Sequence, residues 1–151
     1  MLVEIANSND IPDLVNLLSV LFSQEHEFTP NGDAQAKGLG KIISDPDIGD
    51  IVVARLDGKI VGMVNLLYTV STALGSKVCI LEDMVVFPNA RGKSTGSEIM
   101  NFAIAHARKM GCLRITLLTD TENVSAQRFY KRFGFSVSTM LPFRLSLSDN
   151  T

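Results

Sequence analysis

Leu81-Glu82-Asp83-Met84-Val85-Val86-Phe87-Pro88-Asn89-Ala90-Arg91-Gly92-Lys93-Ser94-Thr95-Gly96-Ser97-Glu98 is the stretch on which the fold turns. Its apolar beginning, broken only by Glu82 and Asp83, reads as the end of a strand over 78–87. Pro88 stops that strand, because proline has no N–H to give to a ladder. Small residues follow, and then Ile99, Ala103, Ala107 and Met110 recur on one helical stripe with Phe102 beside it. Arg108 and Lys109 suit the last turn of this helix, and Gly111 suits its C-terminal cap. Residues 113–119 then read as another strand. Strand, loop, helix and strand in that order make a crossover unit, which places its two strands in a layered α/β domain.

Upstream, residues 2–6 alternate as a short strand. Residues 7–10 supply cap side chains, Pro12 fits a first turn, and Leu14, Leu17, Leu18, Leu21 and Phe22 mark a helix over 10–24. A polar stretch leads to a second helix over 34–44, ending near Asp45-Pro46. Two strand runs, 51–55 and 60–68, flank Asp57-Gly58, a strong hairpin signal, and 74–77 reads as a turn. Downstream, a helix over 123–133 ends at Gly134, and 135–138 and 142–147 read as two last strands. The expectation is a single α/β domain over 1–151, a mixed and mostly antiparallel twisted sheet of about seven strands flanked by about four helices.

Composition narrows the partners. The 151 residues carry a formal net charge of -2, with 46% hydrophobic and 20% charged side chains, ordinary for a globular domain. That balance lacks the basic footprint of a nucleic-acid binder. Cys79 and Cys112 lie in apolar segments, and no Cys or His spacing matches a metal site. The start, Met1-Leu2-Val3-Glu4-Ile5, has no signal-peptide pattern, and no apolar run approaches membrane-spanning length, so a cytoplasmic protein without membrane or metal is expected.

The loop after the 78–87 strand has a chemical reading. A helix N-terminus offers unpaired N–H groups and the positive end of a dipole. Gly92 and Gly96 let that backbone approach a ligand, and Arg91 and Lys93 add positive charge, so phosphate or diphosphate is the natural guest. A Walker loop is ruled out, because Phe87 stands where its first glycine belongs, and no Gly-x-Gly-x-x-Gly run is present. A loop that merely caps its helix is the competing explanation.

Arg91-Gly92-Lys93-Ser94-Thr95-Gly96 resembles the Arg/Gln-x-x-Gly-x-Gly/Ala loop of the GNAT acetyltransferase superfamily, with Ser94 in place of the first glycine. Asn123-Val124-Ser125-Ala126-Gln127-Arg128-Phe129-Tyr130-Lys131-Arg132-Phe133-Gly134-Phe135 is similar to that family's Asn-x-x-Ala-x-x-Phe-Tyr-x-x-x-Gly-Phe signature. The resemblance implies a GNAT-like fold and an N-acetyltransferase, an acyltransferase using acetyl-CoA. It implies that Arg91, Gly92, Lys93, Ser94, Thr95, Gly96 and Ser97 hold the coenzyme's diphosphate and that Met84, Val85 and Val86 offer backbone groups to its pantetheine arm. Asn123 is a helix cap that the resemblance also brings to the coenzyme. Within the family, Leu81-Glu82-Asp83 before an apolar strand is most like the diamine and small-amine acetyltransferases. Homodimers are frequent there.

The chemistry assigns roles. An alkylamine with a pKa of about 10.4 is mostly protonated at neutral pH, so the site must accept a proton and later give one to the departing thiolate. Glu82 is the candidate base, directly or through water. Strand alternation sets Asp83 on the opposite face, as an orienting or structural carboxylate. Tyr130, which the resemblance points toward the coenzyme sulfur, is the candidate acid. The resemblance implies direct attack in a ternary complex, which leaves no part for the cysteines. Glu25, Glu27 and Asp33 in the early polar stretch could draw in a cationic small-molecule or peptide amine, and His26 could shuttle a proton, although a solvated loop explains them as well. Two other classes compete: a non-catalytic module that senses acetyl-CoA, and a nucleotide-binding protein.

Overall fold

The computed structural model describes residues 1–24 and 30–148, in two units, Met1–Leu118 and Thr119–Thr151. The first unit contains β1 (Leu2–Ile5), α1 (Ile11–Gln24), α2 (Gly32–Ser44), β2 (Gly49–Leu56), β3 (Lys59–Ser71), β4 (Ser76–Val86), α3 (Thr95–Lys109) and β5 (Ile115–Leu117). The second contains α4 (Val124–Arg132). The strands form one sheet in the order β1-β2-β3-β4-β5, antiparallel up to β4 and parallel between β4 and β5.

Local chemistry sets the element ends. Asn7 accepts the N–H of Asn9 and gives its own N–H to Asp10, a reciprocal cap that leads the chain into α1. Asp57 and Gly58 both have positive φ, 52° and 78°, the geometry of the tight hairpin turn that joins β2 to β3. Asp10, almost fully buried, receives the Arg55 guanidinium at 2.7 Å and so fastens the entry of α1 to β2. Burial alone would raise its pKa, but the Arg55 bond, the Asn7 N–H and the Arg55 charge together hold it below the ordinary value.

Both faces of the sheet are covered. Leu14, Leu17 and Leu18 of α1 and Leu39 of α2 share a cluster with Ile51, Val53, Met63 and Val85. Val52 and Ala54, which alternate with Ile51 and Val53, are equally buried, as are Ile99, Met100, Ala103 and Ala107 of α3. Burying each large aliphatic side chain is worth about 1.5–3 kcal/mol, so this double layer dominates the stability of the unit. Gly62 sets how closely α3 lies on β3: a Cβ there would stand 2.7 Å from Ile99 Cδ1. Further along α3, His106 Nε2 lies 2.8 Å from Asp50 Oδ2, and the same carboxylate accepts the Tyr68 hydroxyl at 2.5 Å.

The sequence reading overcounts the strands. The sheet has five, not about seven, because 135–138 and 142–147 form none. Alternation fixes which side chains face together, but a strand exists only where its backbone finds a ladder. Here serine hydroxyls take backbone N–H groups instead: Ser138 Oγ accepts from Met140 at 3.1 Å and Ser146 Oγ from Ser148 at 3.4 Å. Pro142 has no N–H to offer at all. Among the described residues, no helix is long and apolar enough to cross a membrane, and no group of three or more His, Cys, Asp or Glu could hold a metal ion.

Candidate active site

The ladder between β4 and β5 pairs Cys79 with Ile115, Ile80 with Thr116 and Leu81 with Leu117, and goes no further. β4 continues to Val86, so its Glu82–Val86 edge runs on past the last β5 partner. A strand edge of this kind presents N–H and C=O groups to any extended guest that lies along it. Met84, Val85 and Val86, the residues expected to offer backbone groups to a pantetheine arm, lie on this edge. The Val86 carbonyl is engaged, because Arg91 Nε donates to it at 3.0 Å and folds the following loop back onto the strand end.

A bulge shapes the middle of β4. Asn65 pairs with Glu82 and Met63 with Val85, so Asp83 and Met84 stand opposite Val64 alone. Asp83 takes φ 58°, a left-handed conformation unusual for a residue with a side chain. Simple alternation would put Glu82 and Asp83 on opposite faces. The bulge defeats it: both carboxylates line one cavity of about 300 Å³. Leu18 and Phe22 of α1, Ala34, Gln35, Leu39 and Ile42 of α2, and Asn65 and Leu67 of β3 also line it. Asn65 Nδ2 donates to Asp83 Oδ2 at 2.7 Å, which fixes the second carboxylate, while Glu82 is exposed.

The loop before α3 is built as a nest. Gly92 has φ 76° and Ser94 φ 63°, two left-handed residues around Lys93, the kind of backbone turn from which anion-binding concavities are made. Nothing lies within 4 Å of where a Gly92 Cβ would stand, so the backbone conformation alone demands glycine there. The Thr95 side chain is buried and its hydroxyl donates to the Ala90 carbonyl at 3.2 Å, closing the loop. Gly96 and Ser97 sit in the first turn of α3, where N–H groups have no intrahelical acceptor.

Ser94 occupies the position where the family pattern has glycine, and it adopts the conformation that glycine favours. A non-glycine residue there is disfavoured by about 1–2 kcal/mol. Ser94→Gly should therefore raise stability by up to about 1 kcal/mol, after the extra unfolded-chain freedom of glycine is counted. In a chain of this size that is roughly 2–4 °C in Tm. A thermal melt in which Ser94→Gly lowers Tm would show that the serine is not strained.

In the second unit, Asn123 caps α4, its Oδ1 accepting the Ala126 N–H at 3.0 Å. Tyr130 is half-buried on α4, edge-on to Phe129 and to Phe135 with centroids 5.5 and 6.0 Å away. Gly134 (φ 98°) ends the helix, as expected for a C-terminal cap. Asp33 lies exposed in the first turn of α2, not in a loop, and Glu25, His26 and Glu27 lie outside the described residues. Cys79 and Cys112 are buried, and burial, with the neighbouring Cys112, pushes the Cys79 thiol up to about 12. Such a thiol is no nucleophile at neutral pH.

Sequence reasoning missed Gln35 and Asn65. Each had a signal: Asn65 interrupts the apolar run 63–67, and Gln35 shares the inward stripe of α2 with Leu39 and Ile42.

The model of the acetyltransferase (GNAT) family matches residues 11–135. An uncharacterized N-acetyltransferase of Bacillus subtilis, YhfO, is 29% identical over 124 residues, 81% of this chain and 83% of the relative. The aminoalkylphosphonate N-acetyltransferase of Salmonella typhimurium is 27% identical over 133 residues, 88% of this chain and 83% of the relative. Among solved structures, the integron cassette protein HFX_CASS3 from the mobile metagenome of Cole Harbour Salt Marsh superposes with a TM-score of 0.84 at 27% identity, covering 97% of this chain and 90% of that one. The open β4 edge, the left-handed loop, the α4 sequence signature and these relatives agree: the chain belongs to the GNAT family of acetyltransferases.

Proposed function

We propose that this single-domain chain transfers the acetyl group of acetyl-CoA to a small primary amine by direct attack in a ternary complex. The observation that carries this reading is the β4 edge running past its last β5 partner at Leu81 and straight into the Gly92–Ser94 nest. An extended arm that ends in a diphosphate has the chemistry of both features at once. Bound there, acetyl-CoA supplies an acetyl group activated as a thioester. Backbone groups of Met84, Val85 and Val86 hold the arm. The N–H groups from Arg91 to Ser97 hold the diphosphate, with Arg91 and Lys93 adding charge and Asn123 adding a further contact.

The chain's own residues then manage protons. The acceptor enters the cavity as an ammonium ion, drawn by Glu82 and Asp83 and by Asn65 Oδ1, a buried acceptor without a hydrogen-bond partner. Glu82, directly or through a water, takes one proton and frees the nitrogen lone pair. As the new C–N bond forms and the C–S bond breaks, Tyr130 gives its phenolic proton to the leaving sulfur. The nitrogen's second proton, shed as the amide forms, restores the phenolate through solvent, and the proton held by Glu82 is released to bulk water. The cavity's charged lining supports a cationic acceptor of the small-amine or diamine kind. The name of the Salmonella relative specifies an acceptor with an anionic tail, for which this lining has no cation among the described residues.

A thermal-shift comparison tests the donor. At 100 times its Kd, a ligand bound only by the native state adds about 2.7 kcal/mol, an easily read rise in Tm. Acetyl-CoA should produce it and ATP should not. A shift with ATP alone would replace this reading with nucleotide binding. A shift with acetyl-CoA, but no thiol released with any amine, would favour a sensor module instead.

A further inference from the structure

The cavity beside β4 holds more hydrogen-bonding capacity than an amine head uses. Gln35, on α2, lines it and is only 8% exposed, yet neither its Oε1 nor its Nε2 has a hydrogen-bond partner among the described residues. A buried amide left in this state costs about 1–3 kcal/mol per unmet group, so helix packing alone gives no reason for a glutamine here. Leu39 and Ile42, one and two turns along the same stripe, are aliphatic. Around Gln35 the lining is mostly apolar, from Leu18, Phe22, Leu39, Ile42 and Leu67, and among the described residues its charged members are Glu82 and Asp83. A cavity of about 300 Å³ is at the small end of ligand sites.

We propose that Gln35 is a specificity-determining residue: it reads a neutral group with both a donor and an acceptor, such as a carboxamide, at the far end of a small primary amine whose spacer is apolar. This rests on the acetyl-transfer reading above and narrows its substrate class. A carboxamide answers both orphaned atoms of Gln35 with two parallel hydrogen bonds. An alkyl end leaves both unmet, and a carboxylate end cannot donate to Oε1 and also meets a cavity whose charges are negative.

Three amines of matched shape make the test: 4-aminobutanamide, 4-methylpentylamine and 4-aminobutanoate, with the one-carbon shorter and longer amides beside them. Thiol release is measured with acetyl-CoA and the full chain. For the wild type, kcat/KM for the best amide should exceed that of its alkyl isostere by about 10²-fold and that of the carboxylate by more, since a site built to hydrogen-bond rejects analogues that cannot. In Gln35→Met the amide-to-alkyl ratio should fall to within a few-fold of one. Methionine is a good helix former and removes two unmet polar atoms, so this variant should melt no lower than the wild type. Gln35→Glu, with a third carboxylate in the cavity, should move preference toward 1,4-diaminobutane by about tenfold or more relative to the amide, which a purely structural glutamine would not do. The proposal is overturned by a wild-type amide-to-alkyl ratio near one, or by a ratio that both variants leave unchanged. Amines turned over without preference overturn this inference alone. No thiol release with any amine overturns the acetyl-transfer reading and this inference with it.

Discussion

Tyr130→Phe should lower kcat by about 10²–10⁴-fold, the usual contribution of a positioned general acid, while leaving protection by acetyl-CoA against thermal unfolding nearly intact. The substitution is clean because the ring does separate work. It meets Phe129 and Phe135 edge-on, and phenylalanine keeps both contacts, so α4 should hold its shape. Only the hydroxyl is lost. An unperturbed phenol has a pKa of about 10, close enough to that of a thiol to hand over its proton as the C–S bond breaks. Without it, sulfur must leave as a thiolate or wait for water. The effect should therefore fall on kcat and kcat/KM together, which marks an interaction made in the transition state. An esterified donor with a more acidic thiol leaving group should recover much of the lost rate. A variant with unchanged kcat and an unchanged pH profile would take Tyr130 out of the reaction.

Much of this arrangement was legible in the sequence, and the failures have physical causes. α1, α2 and α3 announce themselves because each buries one stripe, and the β2–β3 hairpin because Asp57-Gly58 suits a turn that few other pairs tolerate. The left-handed loop was readable from Gly92 but not from Ser94, since serine carries no conformational signal of its own. Periodicity failed at two places. At 142–147 alternation was present but a ladder was not, and pairing is a property of two segments that one segment's pattern cannot contain. At Asp83 a single extra residue on β4 breaks the alternation, and two acidic residues that alternation separates line the same cavity. A bulge of this kind depends on the register of β3 against β4, which no local run encodes. The cavity itself is built from α1, α2, β3 and β4, so its polar lining, Gln35 and Asn65, surfaced only once those elements were packed.

Because of that bulge, Glu82→Gln becomes a sharp experiment. Glutamine keeps the shape and the hydrogen-bonding reach of Glu82 but cannot take a proton. Near pH 7 an alkylamine with a pKa of about 10.4 is free to about one part in several thousand, and a base that removes the proton in the site is worth most there. The expected loss in kcat/KM is about 10²-fold at pH 7. As pH rises toward the amine's own pKa, solvent delivers the free base and the need for Glu82 disappears. The variant and wild-type profiles should then converge to within a few-fold near pH 10. Asp83→Asn is the necessary companion, since Asp83 lines the same cavity and accepts the Asn65 amide at 2.7 Å. Its loss should be similar at every pH, because a carboxylate that orients rather than abstracts is needed whether or not the amine arrives protonated. If the pH-dependent loss appears in Asp83→Asn and not in Glu82→Gln, the two carboxylates exchange roles. If neither variant shows it, the proton leaves by water alone and the site's carboxylates serve only to attract the ammonium.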